Sequence, residues 1–246
     1  MTARLASVAF FLAVWWLGAL IAGAALLPGP LTVLGAIVSE ARSGALFLHL
    51  GATLARVALA FTLAMALGTA LGLAMGRSRL VDRIADPWVL ILLNLPALVV
   101  IVLAYIWAGL TEAAAIGAVA INKLPNTAVT VREGARALDR NLDEVAQVFR
   151  MSRWTMFRHV ILPQLAPYIA ASARSGLSLV WKIVLVVELL GRPNGVGFEI
   201  GVAFQLFDVT RILAYALSFT AIVLMIESFL VQPFERRTSR WRLRPA

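Results

Sequence analysis

The sequence has no cysteine and only two lysines, Lys123 and Lys182. Without cysteine there is neither a disulfide framework nor a thiolate metal site. Charged residues make up 14% of the chain, against about 25% in soluble domains, which excludes an ordinary soluble globule. Neither lysine follows a glycine, so no phosphate loop of the Gly-x-x-x-x-Gly-Lys kind is present, and no nucleotide is hydrolysed by that route. The two histidines, His49 and His159, lie outside any His-Glu-x-x-His pattern. No Gly-x-Ser-x-Gly elbow occurs, and Ser178 has no histidine within its apolar run to activate it. Catalytic and metal sites are therefore not expected.

What the chain does have is apolar length. Hydrophobic residues make up 61% of it, and the mean hydropathy is +0.88. The runs are continuous rather than alternating, which predicts helices and not a barrel. Six spans are expected, at 5–27, 53–75, 88–110, 113–131, 166–190 and 212–232. Each approaches or exceeds the roughly 20 residues that cross the hydrocarbon of a bilayer. The expected fold is an all-α, polytopic membrane protein, a single domain over residues 1–246. Leu5–Leu27 is longer than a secretory h-region, so a retained anchor is favoured over a signal peptide.

The net charge of +9 does not indicate nucleic acid, because the arginines gather in the connections between spans. With the N-terminus inside, fifteen arginines fall on cytoplasmic segments. Only Arg42, Arg192 and Arg211 fall outside. That bias sets both termini in the cytoplasm. Leu31–Leu50 carries apolar residues at helical spacing and is expected to lie along the membrane surface. Gly191–Arg211, with Pro193, Gly195, Gly197 and Gly201, reads as turns around a short element.

Both lysines fall inside spans. Ionisable groups at membrane depth are costly and usually face a cavity or a partner. Lys123 is flanked by Asn122, Pro125 and Asn126, and Lys182 lies six residues before Glu188. Two readings stand side by side. In one, Asn94, Asn122, Lys123, Asn126, Lys182 and Glu188 line a polar path that attracts an anion. In the other, Glu188 neutralises one lysine while the second lysine snorkels or holds helices together.

One polar stretch remains, 132–163. Leu138, Leu142, Val145 and Phe149 form a single stripe at spacings of 4, 3 and 4. Ser152 is placed to cap a second short helix bearing Trp154, Phe157 and Ile161, and Leu162-Pro163 is expected to end it. By physics alone the stretch is either an interfacial amphipathic loop or a docking surface.

The stretch resembles the Glu-Ala-Ala signature of ABC-importer permeases. The pattern falls on Glu144-Val145-Ala146, then Arg150 after three residues, then Val160-Ile161-Leu162-Pro163 after nine more. The run from Gly29 to Phe61, "GVGFEI" at 195–200 and "FERRTSRWR" at 234–242 are similar to permeases of the nitrate/sulfonate/taurine/bicarbonate type. The resemblance implies a type I importer fold in the bacterial inner membrane. It implies a coupling segment whose Asp143, Glu144, Val145, Ala146, Phe149, Arg150, Ser152, Arg153, Trp154, Leu162 and Pro163 dock on an ATPase.

Its implied partners are two ATPase subunits holding ATP and Mg, a second permease (identical or paralogous), membrane lipid and a periplasmic or lipid-anchored substrate-binding protein. No cofactor is implied for this chain. ATP binding would close the ATPases and drag the coupling segment, exchanging inward for outward access. The implied cargo is a small anion such as nitrate, a sulfonate or a carboxylate. A neutral heterocyclic vitamin precursor is the alternative cargo, and an ATP-independent channel or scaffold the alternative class.

The sequence departs from the signature at Val145 and at Arg150, where the family has glycine. Either the bend is made around Met151-Ser152, or Arg150 itself meets the ATPase, or a second permease carries the regular motif.

Overall fold

A computed structural model describes Thr2–Val231. Met1, residues 232–246, and the side chains of residues 2–4, 140, 143, 146, 147, 230 and 231 lie outside that description. So do the last residue of the sixth expected span, the 234–242 segment and its arginines.

The described chain is helical throughout: α1 (Thr2–Ala22), α2 (Pro30–Arg42), α3 (Ala45–Arg77), α4 (Arg79–Asn94), α5 (Ala97–Ala108), α6 (Glu112–Arg136), α7 (Arg140–Val148), α8 (Arg153–Met156), α9 (Leu162–Gly191), α10 (Val196–Gln205) and α11 (Val209–Ile226). π-Helical turns occupy Phe157–Ile161 and Glu227–Val231. By length and hydropathy, Leu5–Ala22, Ala45–Arg77 and Val209–Phe229 are each able to cross a membrane. Helices α6 and α9 are 25 and 30 residues long and carry the two lysines.

Four expectations need correction. The first helix stops at Ala22 because Gly23 turns left-handed, with φ +81°. Leu31–Leu50 is not one surface helix: Ser43 and Gly44 (φ +82°) end α2, and His49 and Leu50 belong to α3. The third span is broken, with α4 and α5 meeting at 102°. Leu95 precedes Pro96 and is pushed to an extended conformation (φ −70°, ψ 128°), which ends α4 one residue earlier.

The fourth correction is at Leu162-Pro163, which does not end a helix. Leu162 keeps helical angles, and its N–H reaches the carbonyl of Phe157 in the wider π turn. That turn admits the proline ring, and Gln164 Nε2 donates to the Val160 carbonyl at 3.0 Å.

The described chain divides into two compact units, residues 2–55 with 185–226, and residues 56–184 with 227–231. In the first, polar contacts hold the 191–208 connection. Thr53 Oγ1 donates to the buried Glu188 carboxylate at 2.9 Å, and that carboxylate also accepts from the Gly197 N–H at 2.9 Å. His49 Nδ1 accepts from the Gly195 N–H at 3.0 Å, while its Nε2 lies 3.0 Å from Glu199. Arg211 pairs with Glu199 at 2.8 Å, and Tyr215 donates to Glu40 at 2.8 Å.

In the second unit α3 and α6 approach closely over three glycines. A Cβ at Gly68 would sit 2.7 Å from Thr127 Cβ, and one at Gly72 would sit 2.9 Å from Val131 Cβ. Gly76 faces Ala135 in the same way. This four-residue spacing of glycine lets two backbones pack without intervening side chains. The polar ends are fastened by charge. Arg56 makes a bidentate pair with Glu112 at 2.9 and 2.7 Å. Arg132 pairs with Asp82 and Asp86, and Arg136 lies 2.6 Å from Asp82.

Candidate functional site

Two groups of sequence-predicted residues can be placed. The first is the 132–163 stretch. Asp139 Oδ1 accepts from the Asn141 N–H at 2.9 Å and starts α7. Ser152 Oγ accepts from the Thr155 N–H at 3.1 Å and starts α8. The expected helix, bend and helix are all present.

The bend is made at Arg150, whose φ is +51°. An L-residue in this region carries a cost of about 1–2 kcal/mol, which glycine avoids. The signature's glycine position thus keeps the glycine conformation without the glycine.

The apolar stripe divides along its length. Leu138 packs on a core of Val131, Ala135, Ile161 and Leu165. Leu142 and Val145 are exposed, Val148 is 79% exposed, and Phe149 is 73% exposed. Trp154 is 67% exposed and stacks on Phe157 with centroids 5.8 Å apart. Glu144, Arg150, Ser152, Arg153, Leu162 and Pro163 are exposed beside them. The side chains of Asp143 and Ala146 lie outside the described residues. Exposed large apolar and aromatic side chains, interspersed along this stretch with exposed charges, are the kind of composition that an interaction surface carries.

The second group is the set of polar residues within the expected spans. Lys123 is completely buried. Its Nζ donates to the Ser172 carbonyl at 3.0 Å and to Ser172 Oγ at 3.3 Å, and Ser172 Oγ donates to Thr127 Oγ1 at 3.1 Å. Gly176 leaves the room for it, since a Cβ there would overlap the lysine stem. Asn122 donates to the Ala118 carbonyl at 2.9 Å, and Asn126 is exposed on the next turn. Asn94 is exposed at the end of α4 and donates to the Leu90 carbonyl at 2.8 Å. Lys182 is exposed and has no hydrogen bond or ion pair among the described residues. Glu188 is the fully buried acceptor for Thr53 and Gly197 described above.

Sequence reasoning missed Ser172, Thr127 and Gly176 around Lys123, and the Gly68–Gly72–Gly76 ladder. The ladder had a signal, since glycines four apart in an apolar run mark a close helix contact. Thr127 had one as well, since it lies one helical turn from Lys123, but Ser172 and Gly176 had none, because Ser172 lies 49 positions away.

Residues 64–240 match the family described as binding-protein-dependent transport system inner membrane component. The chain is 34% identical over 216 residues to the putative aliphatic sulfonates transport permease protein SsuC of Escherichia coli K12, covering 88% of this chain and 82% of that one. It is also 34% identical over 234 residues to the riboflavin transport system permease protein RibX of Chloroflexus aurantiacus, covering 92% and 85%. Among solved structures, an amino acid ABC transporter described with histidines superimposes with a TM-score of 0.64. It is 23% identical, covering 82% of this chain and 98% of that one.

Proposed function

Since the chain belongs to the binding-protein-dependent transport system inner membrane components, we propose that it is the permease subunit of a bacterial ATP-driven importer carrying a small anionic solute. It is a multi-pass inner-membrane transport subunit of an ABC importer, a class that works with ATPase and substrate-binding partners. Two ATPases with ATP and Mg, a second permease and cytoplasmic termini complete the proposed assembly. The arginine distribution supports the orientation.

The observation that carries the reading is the exposed patch of Val145, Val148, Phe149 and Trp154 around the Arg150 bend. Its second half, the capped α8 that carries Trp154, runs on through the π turn into α9, so force applied there is passed to a long helix rather than lost in a loop. Truncating an anchoring aromatic in such a patch typically costs about 2 kcal/mol or more of binding, roughly thirtyfold in affinity.

An anionic cargo is supported by the relative named for aliphatic sulfonates and by Lys182, which is exposed within α9. The relative named for riboflavin supports the second cargo class, a neutral heterocycle.

The test is to co-express the chain with the ATPase and the binding protein that co-purify with it from its native membrane. Phe149→Asp and Glu144→Arg should each strip the ATPase from the purified membrane complex and abolish ATP-driven uptake. Membrane insertion should be unchanged. If the ATPase stays bound at wild-type stoichiometry in both variants, the patch is not the joint. Uptake of a sulfonate competed by riboflavin, and not by other anions, would reverse the cargo assignment.

A further inference from the structure

Beside α3 and the start of α9 runs an open groove of about 850 Å³. Phe61, Met65, Thr69, Leu73, Leu165 and Ile169 form its walls, and nothing between Phe61 and Arg77 on α3 brings a charge into it. Sixteen residues of helix separate those two, about 24 Å. One leaflet of a bilayer is about 15 Å deep, so the groove is long enough for an extended acyl chain.

Its end is chemically different. Arg77 closes the groove and also lines an adjoining polar pocket of about 600 Å³, with Arg79, Arg83, Arg136 and Asp82. Asp82 is already engaged, lying 2.6 Å from Arg136 and 3.4 Å from Arg132. Arg79 and Arg83 make no ion pair among the described residues and are exposed. The pocket also contains the start of α4, where Ser78 Oγ accepts from the Val81 N–H at 3.4 Å and the helix dipole adds positive potential.

From an apolar furrow joined through one arginine to a cluster of four, we infer that this chain holds an anionic phospholipid. Its phosphate would lie among Arg77, Arg79 and Arg83, and one acyl chain would lie along α3 toward Phe61. A zwitterionic lipid fits the furrow equally well but not the cluster, where its choline would meet guanidinium groups. A free anion fits the cluster but leaves the furrow unused. A helix of a second copy would fill the furrow and leave Arg79 and Arg83 without a counter-charge. The phospholipid alone satisfies both parts. The inference takes from the proposed function only the side of the membrane on which these arginines lie.

The test is native mass spectrometry of the full chain in detergent after exposure to phosphatidylglycerol or phosphatidylcholine. Phosphatidylglycerol should be retained selectively. Each arginine replaced by glutamine should lower retention roughly fivefold, and Arg77→Gln/Arg79→Gln/Arg83→Gln should lower it more than tenfold. The corresponding triple lysine variant should keep most of the lipid, which separates charge from misfolding. Ala70→Trp, which blocks the furrow, should lower retention with the arginines intact.

Equal retention of the two lipids overturns the inference, as does full retention in the triple glutamine variant. Displacement by millimolar inorganic phosphate would assign a free-anion site instead. Loss of self-association in Ala70→Trp with lipid binding unchanged would assign the furrow to a second copy. None of these readouts involves transport, so the importer assignment and the lipid site fail separately.

Discussion

Replacing Arg150 with glycine tests whether the bend is strained. The residue has φ +51° at the end of α7, immediately after the exposed Phe149. Relaxing a left-handed L-residue recovers about 1–2 kcal/mol. Glycine gives back part of that, about 0.5–1 kcal/mol, through the freedom it adds to the opened segment. The net gain is about 0.5–1 kcal/mol, or roughly two- to fivefold in the equilibrium between ordered and opened bend. Arg150→Val moves the other way, because a β-branched side chain is a steric outlier there. Hydrogen exchange of the amides of 145–152 in nanodiscs reads the opening directly. Exchange should slow two- to fivefold in Arg150→Gly and quicken in Arg150→Val. Faster exchange in the glycine variant, or identical rates in all three proteins, would refute the account of the bend.

Two further perturbations probe the second unit. Gly72→Leu inserts a side chain where even a Cβ meets Val131 at 2.9 Å. It should cost at least 1–3 kcal/mol and lower the melting temperature of the solubilised chain by several degrees, whereas Gly35→Leu, with open space around it, should not. Gly176→Ala collides with the Lys123 stem and should destabilise by a similar amount. Adding Lys123→Ala should restore much of the loss, and a double variant no more stable than Gly176→Ala would show that the lysine is not what fills that space.

The helices were legible because continuous apolar runs of bilayer length admit little else. Their interruptions were not. Leu95-Pro96, Leu124-Pro125 and Leu162-Pro163 look alike in sequence, yet the first breaks a helix, the second lies inside α6 and the third follows a π turn. The difference lies in what each prolyl ring meets, which is tertiary information. Ser152 as a cap and the bend near it were readable because capping is local. Arg150 was legible as a departure from a pattern but not as the bend itself, since left-handed arginine runs against its own preference. The partners of Glu188 could not be read at all, because Thr53 is 135 positions away.

The π turn at Phe157–Ile161 has a consequence for how this joint is inherited. It places one extra residue in a turn of otherwise continuous helix from Arg153 to Gly191. Removing one residue there would restore ordinary winding and leave every helix in place. Trp154 would keep nearly its present facing relative to α9, because the wider turn takes up the extra residue without rotating the helix on either side. The turn thus stores one residue: a loss there is absorbed in place, whereas a residue gained or lost elsewhere in the helix from Arg153 to Gly191, with no such turn to take it up, would swing Trp154 by about 100° relative to the far end of α9.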